Sequence, residues 1–296
     1  MTAGMLPGPY KVPAFRARGH FRLTNKTPAA TYRAPGRYES TFVRERMMAQ
    51  RLELDPIEVR RINLIASKDM PFEQPVETLG EKLIYDSGDY VGLLEKALKA
   101  LDWDKLQDDL RRRRADGEAV GAGMAMFVEK SGLGPADNAR VTVDTSGAVE
   151  VVTGGASLGQ GFETAMAQIC ADGLGVDYKA VKVIHGRTDL IAHGIGAHSS
   201  RASVMTGSAT YIAATKVREK ALRFASERMQ TPVSDLDIVA GNVVRKDGPA
   251  SSPSMSLADI ARTIAPTSRT RGDHEPGLSA EGWFRCSPSP RLHSAR

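Results

Sequence analysis

The chain has 296 residues, 40 Lys and Arg against 35 Asp and Glu, and 41% hydrophobic residues, the profile of an ordinary globular protein long enough for one large or two modest cores. No apolar run has the length of a membrane helix, and no apolar signal core follows Met1. Two cysteines, Cys170 and Cys286, exclude a disulfide framework and a CxxC metal site, so the expected compartment is a reducing cytoplasm.

Residues 1–37 read as an irregular, acid-free arm carrying Arg16, Arg18, Arg22, Arg33 and Arg37. Pro7, Pro9 and Pro13 spoil the amphipathic helix that a transit peptide would need. A helix is expected from Glu39, with Phe42, Val43, Met47, Met48 and Leu52 as its apolar stripe. Asp55-Pro56-Ile57-Glu58 has the signature of a second helix start: N-cap, proline at the first helical position, and a capping-box glutamate. Residues 66–87 are polar with two prolines, and 76–87 is expected as a linker between a first segment, 1–75, and a second domain, 88–265. That domain opens with a helix from Asp89 and another from Trp103 into Arg111–Arg114, a solvated helix end favoured by the dipole. Strands follow at 120–128, 139–144 and 148–153, the last two as a hairpin about Thr145-Ser146-Gly147. A helix from Phe162, a strand at 181–185, a long helix from Ala202 to Met229 and a short one from Ser256 complete the pattern, with 266–296 as a basic tail, disordered after about residue 284. The fold class is α+β, mixed sheets with packed helices.

Three loops hold the residues that can carry chemistry. In Gly154-Gly155-Ala156-Ser157-Leu158-Gly159-Gln160-Gly161-Phe162-Glu163-Thr164 a strand ends, glycines permit close approach, and a helix N-terminus offers free N–H groups to an anion or polar heterocycle. A plain strand–helix turn with Gln160 in solvent explains the same letters, and the Lys-Ser/Thr pair of a P-loop is missing. In the second loop, Ser199 and Ser200 precede the long helix, either as ligands of a phosphate or pterin-like ring or as N-caps. In the third, Tyr32-Arg33-Ala34-Pro35-Gly36-Arg37, the two arginines can clamp a phosphate or sit in a solvated turn. His185, His193 and His198 lack zinc-site spacing, and no nucleophile elbow occurs. A nucleic-acid binder is disfavoured because the basic arm has no aromatic interleaving.

In order and spacing these loops resemble the molybdenum-cofactor-binding large subunit of the xanthine dehydrogenase, aldehyde oxidase and carbon monoxide dehydrogenase family. The resemblance starts at Tyr10-Lys11-Val12-Pro13 and runs through Thr31 to Glu39, Leu54 to Leu64, Gly155 to Thr164, Ser199 to Ser203 and Gly277 to Gly282. It implies molybdopterin, in its cytosine dinucleotide form, carrying molybdenum, with the cofactor contacted by Gly159, Gln160, Gly161, Thr164, Ser199, Ser200 and Arg201, and Arg33 on the substrate side. No metal ligand is expected from the protein itself. It also implies hydroxylation of a small aldehyde or heteroaromatic by water, with electrons leaving through an iron–sulfur subunit and an FAD subunit. Ala34 stands where the carbon monoxide enzymes carry a copper-linked cysteine, which argues against that substrate. The family's catalytic glutamate belongs to a Gly-x-Gly-Glu loop, and no such tetrapeptide occurs here. The expectation is therefore a fragment, inactive without the remaining parts of the large subunit, or else a non-catalytic remnant or scaffold.

Overall fold

The computed structural model describes the chain except residues 1, 21, 28–31, 51–53, 79–80, 130, 250–252, 286–290 and 293–296. Thr31, Leu52 and Cys286 lie outside the described residues, as does most of the tail expected to be disordered. Two compact units form, Met1–Lys130 with Ser287–Arg296, and Ser131–Cys286.

In the first unit, helix α1 (Arg37–Gln50) is followed by α2 (Pro56–Asn63), whose start is the one expected: Asp55 Oδ1 accepts from Ile57 N at 2.6 Å and Glu58 N at 3.2 Å. The 66–87 stretch is not a linker. It contains a hairpin of β1 (Phe72–Thr78) and β2 (Glu81–Tyr85), with β10 (Arg291–Leu292) parallel on the other edge of β2. Pro75 is tolerated because β1 is an edge strand, and the pairing register shifts between Glu73 and Glu77 around it. Helices α3 (Tyr90–Leu101) and α4 (Trp103–Ala115) follow, and α4 ends as expected in ion-paired arginines, Arg112 with Asp109 and Arg113 with Glu118. Tyr10, Ile57, Leu64, Ile65, Leu83, Tyr85, Leu94 and Leu98 form the core.

Two expectations fail in this unit for one reason. Residues 120–128 form no strand and pair with none among the described residues; the Met124 and Met126 carbonyls instead accept from Arg60 Nη2 at 2.7 Å and Arg44 Nη2 at 2.6 Å. Both arginines also reach Glu45, which accepts from Arg44 Nε at 3.1 Å, Arg60 Nη2 at 2.7 Å and the Tyr10 hydroxyl at 2.9 Å. This buried polar network claims the inward face of α1, so the stripe expected in the core, Phe42, Val43 and Met47, points to solvent. Burial and the adjacent Glu45 carboxylate push the Tyr10 hydroxyl far above its ordinary pKa.

The second unit holds a four-stranded sheet in the order β5-β4-β3-β9, made of β3 (Asp137–Val143), β4 (Val149–Thr153), β5 (Val181–Ile184) and β9 (Leu278–Phe284). The β3–β4 hairpin is as expected; α5 (Phe162–Leu174) is the crossover that brings β5 parallel to β4. β9 overturns the expected tail: it pairs antiparallel along all of β3, from Asp137 opposite Phe284 to Val143 opposite Leu278. Helix α6 (Ser208–Met229) lies directly on β9, where a Cβ at Gly282 would come within 2.2 Å of Ala209 O. A small sheet of β6 (Leu236–Val239), β7 (Asn242–Arg245) and β8 (Met255–Ser256), with α7 (Leu257–Thr263), closes the end of the core. That core joins Val141, Val151, Cys170, Leu174, Val217, Phe224 and Ile260. Among the described residues no helix is long and apolar enough to cross a membrane.

Candidate cofactor-binding site

Because β4 and β5 are parallel, with Val152 opposite Ile184, the loops that follow them leave the sheet at one end. This carboxyl end of parallel strands is where open α/β layers bind ligands. The loop after β4 enters α5 through Gly159 (φ 87°) and Gly161 (φ 78°), and at both positions a Cβ would meet no atom within 4 Å. Left-handed glycines therefore keep the approach open. The N–H groups of Gly159, Gln160, Gly161, Phe162 and Thr164 make no intramolecular hydrogen bond among the described residues, and α5 has no side-chain cap. Gln160 is exposed and braces its own turn, its Nε2 donating to Ala156 O at 3.1 Å and its Oε1 accepting from Leu158 N.

Glu163, in the first turn of α5, ties this loop to the sheet. Its carboxylate accepts from Ser157 Oγ at 2.8 Å and meets His185 Nε2, just past β5, at 2.9 Å. These bonds, led by that of His185, lower the Glu163 pKa to about 2. The His185 ring also packs edge-on against Phe162, with centroids 5.6 Å apart. Sequence reading missed this brace because Glu163 and His185 meet only once β5 has been laid beside β4.

The second expected loop packs on the first, backbone against backbone. A Cβ at Gly154 would lie 2.2 Å from His193 O, one at Gly194 would lie 2.5 Å from Gly154 Cα, and Gly196 N donates to Gly154 O at 3.4 Å. The structure thus brings together the loops carrying Gln160 and Ser199. Ser199 (φ 51°) and Ser200 (φ 50°) are left-handed without being glycine, a conformation that costs about 1 kcal/mol or more per residue. Neither is a side-chain cap: the Ser199 hydroxyl is 3.2 Å from His198 Nδ1, and Ser200 O accepts from Gly132 N at 3.2 Å. The helix expected from Ala202 begins as a π-helical turn, Ala202–Gly207, before α6.

Arg201 is fully buried. Its Nε donates to Leu133 O at 3.1 Å, and its Nη2 to Ala136 O at 2.8 Å. Its Nη1 donates to Gly196 O at 3.4 Å and lies 3.4 Å from Asp137 Oδ2, which also accepts from Thr206 Oγ1 at 2.5 Å. The guanidinium shapes the loop from below and offers its donors to the protein. Arg33 belongs to the first unit, where it is exposed in a turn of left-handed residues, Arg33 (φ 30°) and Ala34 (φ 43°), ahead of α1. Of the two readings of this turn, the phosphate clamp of Arg33 with Arg37 does not form, because Arg37 is buried and pairs with Glu129 at 2.5 Å. Among the described residues no His, Cys, Asp or Glu cluster is arranged as a metal site.

Residues 96–295 match the family of the molybdopterin cofactor-binding domain, and residues 1–64 match a second family of the same description; the chain belongs to this molybdopterin-binding group. It is 40% identical, over 96% of its length, to the gamma subunit of the 6-hydroxypseudooxynicotine dehydrogenase complex of Paenarthrobacter nicotinovorans, and covers 36% of that protein. It is 31% identical over 94% of its length to the carbon monoxide dehydrogenase large chain of Hydrogenophaga pseudoflava, again covering 36% of the relative. Among solved structures it is similar to quinoline 2-oxidoreductase of Pseudomonas putida 86, with a TM-score of 0.78 and 28% identity over 95% of this chain and 37% of that one. It is also similar to a copper- and molybdenum-containing carbon monoxide dehydrogenase, with a TM-score of 0.72 and 28% identity over 86% of this chain and 33% of the other. The chain therefore spans about a third of the length of the curated relatives it matches.

Proposed function

We propose that this chain is a cofactor-holding part of the large subunit of a molybdenum hydroxylase whose substrates are small N-heteroaromatic compounds or aldehydes. The observation that carries the reading is the row of unused N–H groups at the entrance to α5, kept open by Gly159 and Gly161 and abutted by the Ser199–Ser200 loop. Such a cradle fits a group with polar heteroatoms along one edge and a phosphate beyond it, the chemistry of a pterin dinucleotide. When bound, the molybdenum cofactor supplies the two-electron oxidation for which water is the oxygen source.

The chain's own residues do the holding. Amides of Gly159, Gly161 and Thr164 donate to the ligand's edge, and Gln160 turns its carboxamide, which both donates and accepts, from Ala156 O toward the ligand. Ser199 and Ser200 line the other side with hydroxyls, while Arg201, next in sequence, ties their loop at Gly196 O to the carbonyls of Leu133 and Ala136. Arg33 belongs on the substrate side. Ala34 has no thiol for copper, so a carbon substrate larger than carbon monoxide suits this chain, in keeping with relatives and neighbours named for nicotine and quinoline.

The cofactor is of the cytosine dinucleotide form, electrons pass to iron–sulfur and FAD subunits, and the complex works in the cytoplasm. Without a Gly-x-Gly-Glu loop the chain supplies no carboxylate base and is inactive alone. A second reading, a non-catalytic scaffold of the same family, rests on that same missing loop. The test is molybdenum and pterin analysis with turnover of a heteroaromatic substrate, on the complex purified with its partner chains. Molybdenum, pterin and turnover together support the hydroxylase; cofactor without turnover supports the scaffold; absence of both molybdenum and pterin refutes both.

A further inference from the structure

The turn that enters α5 is held by few contacts. From Ser157 to Gly161 no residue is buried, and Leu158, its one large apolar side chain, is 73% exposed, so packing does not fix its shape. Among the described residues, 156–160 make no backbone–backbone hydrogen bond. Two side-chain ties remain. The first is Gln160, which donates from Nε2 to Ala156 O at 3.1 Å and accepts from Leu158 N at Oε1. The second is Ser157, whose Oγ donates to Glu163 Oε2 at 2.8 Å, while Glu163 Oε1 meets His185 Nε2 at 2.9 Å. His185 is anchored in turn, because it directly follows β5 and its ring packs edge-on against the buried Phe162.

These two ties behave differently when a ligand arrives. Turning the Gln160 carboxamide outward breaks both of its bonds to the turn, so the first tie is lost at the moment of binding. The second makes no such exchange, since its far end is fixed to the sheet at β5 and its carboxylate sits where the α5 dipole favours a negative charge. We propose that Ser157, Glu163 and His185 are positioning residues, which hold the 156–160 turn in its binding shape once Gln160 has given up its internal bonds. The proposal rests on the cofactor reading above and assigns the preorganisation of the cofactor loop to these three side chains. Without them the released turn has to be ordered by the ligand itself, which lowers affinity through conformational entropy.

The test uses the complex purified with its partner chains and compares the unsubstituted protein with Ser157→Ala, Ser157→Thr and His185→Phe. Pterin release is followed by the fluorescence of the oxidised pterin, and urea unfolding of the cofactor-free chain is measured beside it. Ser157→Ala is expected to speed release about tenfold, the low end for a lost hydrogen bond to a carboxylate because the Glu163 side chain is 48% exposed. The urea midpoint of the cofactor-free chain should stay nearly constant, since Gln160 still braces the empty turn. Ser157→Thr keeps the hydroxyl and should restore slow release. His185→Phe keeps a ring against Phe162 and should speed release in the same direction as Ser157→Ala. Release within about twofold of the unsubstituted rate in Ser157→Ala or His185→Phe overturns the proposal. So does a matching loss of stability in the cofactor-free chain, the mark of a tie that only holds the fold, or a Ser157→Thr variant as fast as Ser157→Ala. Absence of pterin from the unsubstituted complex defeats the cofactor reading and the positioning role with it; pterin held equally by every variant defeats the positioning role alone.

Discussion

Replacing Arg201 by methionine removes the clamp beneath the Ser199–Ser200 loop while keeping most of the buried volume. Arg201 and Asp137 are both completely buried, 3.4 Å apart. Among the described residues the substitution leaves the Asp137 charge with the Thr206 hydroxyl and the Asn138 N–H, and it strips donors from the carbonyls of Leu133, Ala136 and Gly196. Removing one partner of such a buried pair costs about 3–5 kcal/mol, and the lost carbonyl bonds belong to that same sum. Adding Asp137→Asn to Arg201→Met abolishes the stranded charge but keeps an acceptor for Thr206, so the double variant should regain about 1–2 kcal/mol. Urea unfolding followed through Trp283, with Trp103→Phe to silence the first unit, reads the second unit alone. If Arg201→Met costs less than about 1 kcal/mol, or the second substitution gives no recovery, the guanidinium is not the strut described here.

Four further outcomes are expected. Gly194→Ala forces a Cβ to within 2.5 Å of Gly154 Cα and should cost about 1–3 kcal/mol in urea unfolding while separating the two loops; full stability would show that the backbones are not in contact. The Glu163 pKa is lowered in the folded state, so its brace is intact above the ordinary carboxylate value of 4.5 and is lost as pH falls toward about 2. Amide exchange at residues 165–168, the first hydrogen-bonded turn of α5, corrected for intrinsic rates, should rise across that window, and a flat profile contradicts the brace. Burial pushes the Cys170 thiol pKa up to about 12, so iodoacetamide should modify it only after unfolding; rapid labelling of the native protein would place it elsewhere. Glu45→Gln leaves two buried arginines facing a neutral amide and should destabilise the first unit by about 3–5 kcal/mol, read through Trp103 fluorescence in urea; a loss under about 1 kcal/mol would mean the arginines are satisfied by carbonyls alone.

What the letters reveal tracks how local the controlling interaction is. The Asp55 cap, the β3–β4 hairpin and the α5 entrance are each fixed within a short local stretch of chain, and each was readable. β9 was not, because Leu278–Phe284 becomes a strand only against β3, far away in sequence, and its Gly282 serves contact with α6 rather than strand propensity. The apolar stripe of α1 was visible, but its direction was not: Arg44 and Glu45 look like surface residues until Tyr10 and Arg60 arrive to bury them. At the site, the glycines and serines of both loops stood out by composition. The buried triangle of Arg201, Asp137 and Thr206 and the Glu163–His185 pair did not, since their members come from separate segments and match no motif.

The central claim, that the α5 entrance and the Ser199–Ser200 loop together hold a molybdopterin, is tested most directly by hydrogen–deuterium exchange on the complex with and without its cofactor. Loading should slow exchange at the amides of Gly159, Gln160, Gly161 and Thr164 and at those following Ser199, while the β6–β7 hairpin stays unchanged. Protection that spares both loops and falls elsewhere in the chain would contradict it.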